Sequence, residues 1–171
     1  NSLFICTPHN FVIALDAETG EERWRFDPEV PDSTNRQHLT CRGLSYHASE
    51  TPVEGQACQQ RLFMPTADAR LIALDPDTGK VCESFGENGA VNLWKNMPNI
   101  TEGFYYSTSP PVVANDLVIV GGAVNDNVST TEPSGVIRAY DVITGELKWN
   151  WDPGNPEQTA PMAPGETYSE S

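Results

Sequence analysis

The sequence predicts an all-β fold, a β-propeller of four-stranded antiparallel blades, with about three blades of a larger ring present in residues 1–171. Two observations carry this reading. One strand–turn–strand unit recurs three times, and a further apolar strand precedes each copy.

The repeated units are VIALDAETGEERWRFDP (Val12 to Pro28), LIALDPDTGKVCESFG (Leu71 to Gly86) and VIRAYDVITGELKWNWDP (Val136 to Pro153). In each, an apolar strand ends in Asp, x-x-Thr-Gly makes the turn, and an aromatic-bearing strand is expected to follow. Asp and Thr side chains can bond nearby backbone N–H groups, and Gly accepts the positive φ of a tight hairpin. Ahead of the units stand SLFICTP, RLFMPTA and DLVIVGG. Before the last two comes one more candidate strand, GLSYH and SPPVVA. The third copy therefore reads as four strands: Pro110–Ala114, Leu117–Gly121, Gly135–Asp141 and Leu147–Trp151.

Trp24 and Trp149 occupy one aromatic slot after the turn, and Phe26, Phe85 and Trp151 occupy a second. Glu83 takes the first slot of the middle copy. These aromatics are expected between blades, as architecture. The turn aspartates Asp16, Asp75 and Asp141 lie further apart than the ~40–45 residues of a minimal blade. Inserted loops at Glu29–Gln60, Glu87–Ser107 and Asn125–Ser134 account for the excess, and function tends to live on such loops.

With 10 Lys+Arg against 24 Asp+Glu, the net charge is −14, which repels nucleic acid and anionic lipid headgroups. No apolar run approaches the ~18 residues of a membrane span. The chain reads as a piece of a longer protein, since three blades cannot close a ring. Cys6, Cys41, Cys58 and Cys82 contain no CxxC spacing, so zinc is disfavoured. Cys41 and Cys58 bracket a polar insert and are the first pair expected to bond. Cys6 and Cys82 fit buried thiols equally well.

The ALDxxTGxxxWxF pattern resembles the blades of pyrroloquinoline quinone (PQQ) dependent dehydrogenases. Scaffold propellers of the outer-membrane assembly type carry similar repeats without a cofactor. CTPHNFVIALD, QHLTCRGLSYH, TSPPVV, GGAVNDN and EPSGVIRAYDVITGELKW together resemble the membrane-bound quinoprotein (PQQ-dependent) glucose dehydrogenases, in order and across the chain. The quinate/shikimate branch follows the same plan. Alcohol dehydrogenases of the group usually carry two adjacent cysteines before Arg-Gly, whereas Cys41 stands alone before Arg42.

The resemblance implies roles residue by residue. Arg42 matches an arginine that pairs with PQQ carboxylates, a task suited to a planar guanidinium. His47 matches a histidine near the quinone ring, and Thr108 a threonine bonding the cofactor. Asp126 falls where related quinoproteins carry a metal ligand, with Asn127 as a second candidate. Hard oxygen donors suit Ca²⁺ or Mg²⁺. Taken alone, Arg42 reads as a surface ion-pair residue and His47 as a structural histidine, while Asp126 between two Asn reads as an Asx-turn former. His9 and His38 read as structural.

The same resemblance implies oxidation of an aldose, D-glucose to its lactone, with ubiquinone as electron acceptor. It places the intact, eight-bladed protein at the periplasmic face of the bacterial inner membrane, its anchor outside these residues. The catalytic base is also expected outside them, so the segment alone is expected to be inactive. The alternatives are a quinate/shikimate dehydrogenase and a non-enzymatic, protein-binding propeller.

Overall fold

The computed structural model describes residues 1–33, 35–125 and 127–170, and the regular structure among them is all β. The first sheet has three strands in the order β1 (Ser2–Cys6), β2 (Val12–Asp16), β3 (Glu22–Phe26). The middle sheet runs β4 (Ser45–Ala48), β5 (Gln60–Pro65), β6 (Arg70–Leu74), β7 (Ala90–Asn92). A ribbon pairs β8 (Tyr105–Tyr106) with β11 (Ala123–Val124). The third sheet is built from β9 (Val112–Ala114), β10 (Leu117–Val120), β12 (Ile137–Asp141) and β13 (Leu147–Trp151), all antiparallel. Its four strands lie within the four expected from the sequence.

Alternation along β5 explains the stacking, because successive strand side chains point to opposite faces. Leu62 and Met64, with Ile72 and Leu74 across the ladder, pack against Val12, Phe4, Trp24 and Phe26 of the first sheet. Phe63, Leu71 and Ala73 face the other way, into a core shared with Val118, Val120 and Tyr140 of the third. The central strands β5 and β6 of the middle sheet are thus buried on both faces. The outer faces of its neighbours leave Leu3, Ile5, Val112 and Trp151 exposed.

The three turns close with the same aspartate-to-amide bonds. Asp16 Oδ1 accepts from the amides of Glu18 and Thr19 at 2.9 and 3.0 Å. Asp75 Oδ1 accepts from Asp77 and Thr78, and Asp141 Oδ1 from Ile143 and Thr144. Gly79 has φ +71 and also lies under the indole of Trp24, where a Cβ would come within 2.6 Å of Cε3. The same indole donates to the Pro76 carbonyl at 3.0 Å. The Asp75–Gly79 turn is therefore a docking platform for Trp24 of the first sheet, which is why glycine is required at position 79.

The middle copy departs from expectation. Its post-turn segment makes one bridge, Val81 to Leu74, and the fourth strand of the sheet is β7 instead. Glu83 supplies no aromatic to hold an extended strand. Phe85 instead folds into the core at 5.3 Å from Phe63.

The expected Cys41–Cys58 bond is also corrected: the pairs are Cys6–Cys41 and Cys58–Cys82, and no cysteine is free. Cys41 precedes β4 and Cys58 precedes the antiparallel β5, so the length of the sheet separates them. Cys6 closes β1 at the Cys41 end. Cys58 lies at the turn end, where its amide donates to Asp75 Oδ2 at 3.0 Å.

Burial pushes the carboxyls of Asp75, Asp141 and Asp152 upward, but their hydrogen bonds outweigh it and hold all three below the usual range. Asp152, fully buried, accepts from Ser134 Oγ and Ser169 Oγ, both at 2.6 Å, and from the amides of Ser169 and Gly154. Depressed folded pKa values mean that the stabilisation is complete above the unfolded value near ~3.9 and disappears as pH falls through the folded values. Thermal unfolding of the full-length parent should therefore be unchanged between pH 7 and 5 and fall steeply below pH ~4. An Asp152→Asn variant should lose part of that acid sensitivity.

Candidate functional site

The edge strands β4 and β9 of the middle and third sheets lie next to each other, and Ser45 Oγ donates to the Pro111 carbonyl. That bond sets their alignment. Three residues before Ser45 stands Arg42, and three before Pro111 stands Thr108. The Arg42 Nη1 donates to Thr108 Oγ1. Two residues 66 apart in sequence thereby meet at one end of adjacent blades. Arg42 is exposed and forms no ion pair among the described residues, so the rest of its guanidinium fork can receive an anion.

Further segments converge on this end. Tyr106 Oη accepts from the His38 amide at 2.9 Å and lies 3.2 Å from the His38 carbonyl, to which it donates. Gln37 Nε2 donates to Asn125 Oδ1 at 2.7 Å, and Asn125 Nδ2 to the Asn35 carbonyl at 2.9 Å. The β8–β11 ribbon places Ala123 opposite Tyr106 and Val124 opposite Tyr105. Gly122 is required there, since a Cβ would lie 2.1 Å from the Tyr105 ring. A cavity of about 340 Å³ borders Thr108, lined also by Ser107, Pro110, Gly121, Gly122 and Ile137.

The other candidates are placed as follows. His47 lies two residues beyond Ser45 and pairs with Arg61, towards the opposite end of β4 from Arg42. Burial, chiefly, pushes its imidazole down; Arg61 acts the same way, while Asp116 and Glu50 act against it. Its Nδ1 is buried without a hydrogen-bond partner. No hydrogen bond joins His47 to the Arg42–Thr108 pair among the described residues. His38, read from sequence as structural, has its backbone clasped by Tyr106 at the Arg42 end and its side chain exposed. Asp126 lies outside the described residues, and Asn127 follows it in the β11–β12 connection. Tyr106, Gln37 and Asn125 were not singled out in the sequence. Their only trace there is a Tyr-Tyr pair, whose hydroxyls need partners once buried.

A guanidinium and a hydroxyl meeting at the end of two inner strands fit a polar, anionic ligand at the mouth of a propeller. A model of the PQQ-type glucose/ethanol/alcohol dehydrogenase β-propeller domain matches residues 1–171. The chain belongs to this family. It is 42% identical to the quinoprotein glucose dehydrogenase of Escherichia coli (strain K12), over 99% of its own length and 22% of that protein. It is 41% identical to the quinate/shikimate dehydrogenase (quinone) of Acinetobacter baylyi, over 100% of its length and 23% of that protein. Among solved structures, the quinohemoprotein alcohol dehydrogenase of Comamonas testosteroni superposes with a TM-score of 0.65 at 26% identity. That superposition covers 88% of this chain and 19% of the other. The chain thus spans less than a quarter of these quinoproteins, which agrees with the few blades seen.

Proposed function

We propose that this chain forms part of the propeller of a PQQ-dependent dehydrogenase that oxidises an aldose, D-glucose to its lactone, and passes electrons to ubiquinone. The observation that carries the reading is the Arg42–Thr108 contact across adjacent inner strands. PQQ, when bound, supplies the two-electron acceptor, and a Ca²⁺ or Mg²⁺ ion beside it supplies Lewis acidity. The donors present fit that group. Arg42 binds a carboxylate through parallel charge-assisted bonds. Thr108 orients the guanidinium and offers its own hydroxyl. Asp126 and Asn127 offer the hard oxygens that such a cation prefers. His47, towards the other end of β4, is assigned no contact.

The exposed apolar faces of the first and third sheets are proposed to meet further blades of the ring. Those blades also carry the catalytic base, and without it residues 1–171 are inactive. No helix among the described residues is long and apolar enough to cross a membrane. The inner-membrane anchor is therefore assigned to another part of the protein, and the two disulfides support a periplasmic position for the propeller.

The relationship to a quinate/shikimate dehydrogenase makes that substrate class the second reading. The full-length parent, supplied with PQQ and Ca²⁺ or Mg²⁺, should reduce a quinone analogue with D-glucose and not with quinate or shikimate. Turnover of quinate alone would overturn the aldose assignment. Absence both of turnover and of PQQ binding would leave the protein-binding propeller.

A further inference from the structure

We infer that the Cys6–Cys41 disulfide is a positioning element for Arg42, holding its guanidinium ready for the cofactor. This rests on the reading of Arg42 as the carboxylate partner of PQQ. Arg42 sits in a segment without regular structure, so no ladder of backbone bonds fixes it. Its immediate neighbours do so instead. Cys41, one residue before, is bonded covalently to Cys6. Cys6 is the last residue of β1 and pairs there with Val12, which is fully buried. On the other side, Gly43 takes φ +152, a conformation other residues rarely adopt, and turns the chain into β4. Ser45 then bonds the Pro111 carbonyl of the third sheet.

The arginine is thus clamped between a covalent anchor on the first sheet and a hydrogen bond to the third, and its side chain meets Thr108 between them. A guanidinium already held in place loses less freedom when an anion arrives. The second disulfide is a built-in control. Cys58–Cys82 lies at the opposite, turn end of the middle sheet and touches none of these groups.

The test uses the full-length apoprotein and PQQ itself, with affinity read by fluorescence titration. C6A/C41A should bind PQQ about tenfold more weakly. C58A/C82A should lose thermal stability and keep wild-type affinity. Insertion of one glycine between Cys41 and Arg42 keeps both disulfides and separates anchor from guanidinium, so it should reproduce the tenfold loss even if C6A/C41A fails to fold. Wild-type affinity in the insertion variant, or equal losses in the two disulfide variants, would overturn the inference. Wild-type affinity in Arg42→Ala would instead strike the underlying reading of Arg42.

Discussion

Arg42→Ala in the full-length parent is expected to weaken PQQ binding by about a hundredfold. A hydrogen bond to a charged partner contributes about 1.5–3 kcal/mol, and each 1.4 kcal/mol is a factor of ten in affinity. The substitution should leave the thermal midpoint nearly unchanged. The side chain is exposed, and its bond to Thr108 is the only one it makes among the described residues. Arg42→Lys should recover part of the loss, since an ammonium restores the charge without the planar fork. Titration of the three apoproteins with PQQ checks this, and equal affinities for arginine and alanine would remove Arg42 from the site.

The largest stability effect is expected at Phe63. Its ring is fully buried between the middle and third sheets, 5.3 Å from Phe85, on the face shared with Leu71, Val118 and Val120. Phe63→Ala removes that ring and leaves a void that two stacked sheets cannot easily close, at a cost of about 3–5 kcal/mol. Glu18→Ala, on an exposed turn, should change stability by less than about 0.5 kcal/mol. Urea unfolding of the full-length parent distinguishes the two. A Phe63 variant as stable as the Glu18 variant would mean that the sheets do not share this core.

What the sequence revealed and what it concealed follow the range of the interactions. The Asp-x-x-Thr-Gly turns were legible because Asp, Thr and Gly act within five residues. The third sheet was legible because each of its four strands carries apolar residues and the Asp141–Gly145 turn joins the last two. The middle blade misled because Glu83 sits where an aromatic would hold the strand, so the outer position went to β7, beyond the repeat. Disulfide pairing depends on which end of the sheet each cysteine occupies, and polar spacing between Cys41 and Cys58 says nothing about that. At the site, Arg42 and Thr108 were singled out by resemblance to a family. Their meeting is a tertiary fact, created by two inner strands aligned through Ser45 and Pro111. The supporting contacts of His38, Gln37 and Asn125 use loop backbone or amides, which leave no pattern in a sequence.

The most direct measurement is a structure of the full-length parent with PQQ bound. The Arg42 guanidinium is expected within hydrogen-bond distance of a cofactor carboxylate, with Thr108 beside it at the inner-strand end of the propeller. A cofactor seated elsewhere on the ring, with Arg42 still bonded only to Thr108, would contradict this expectation.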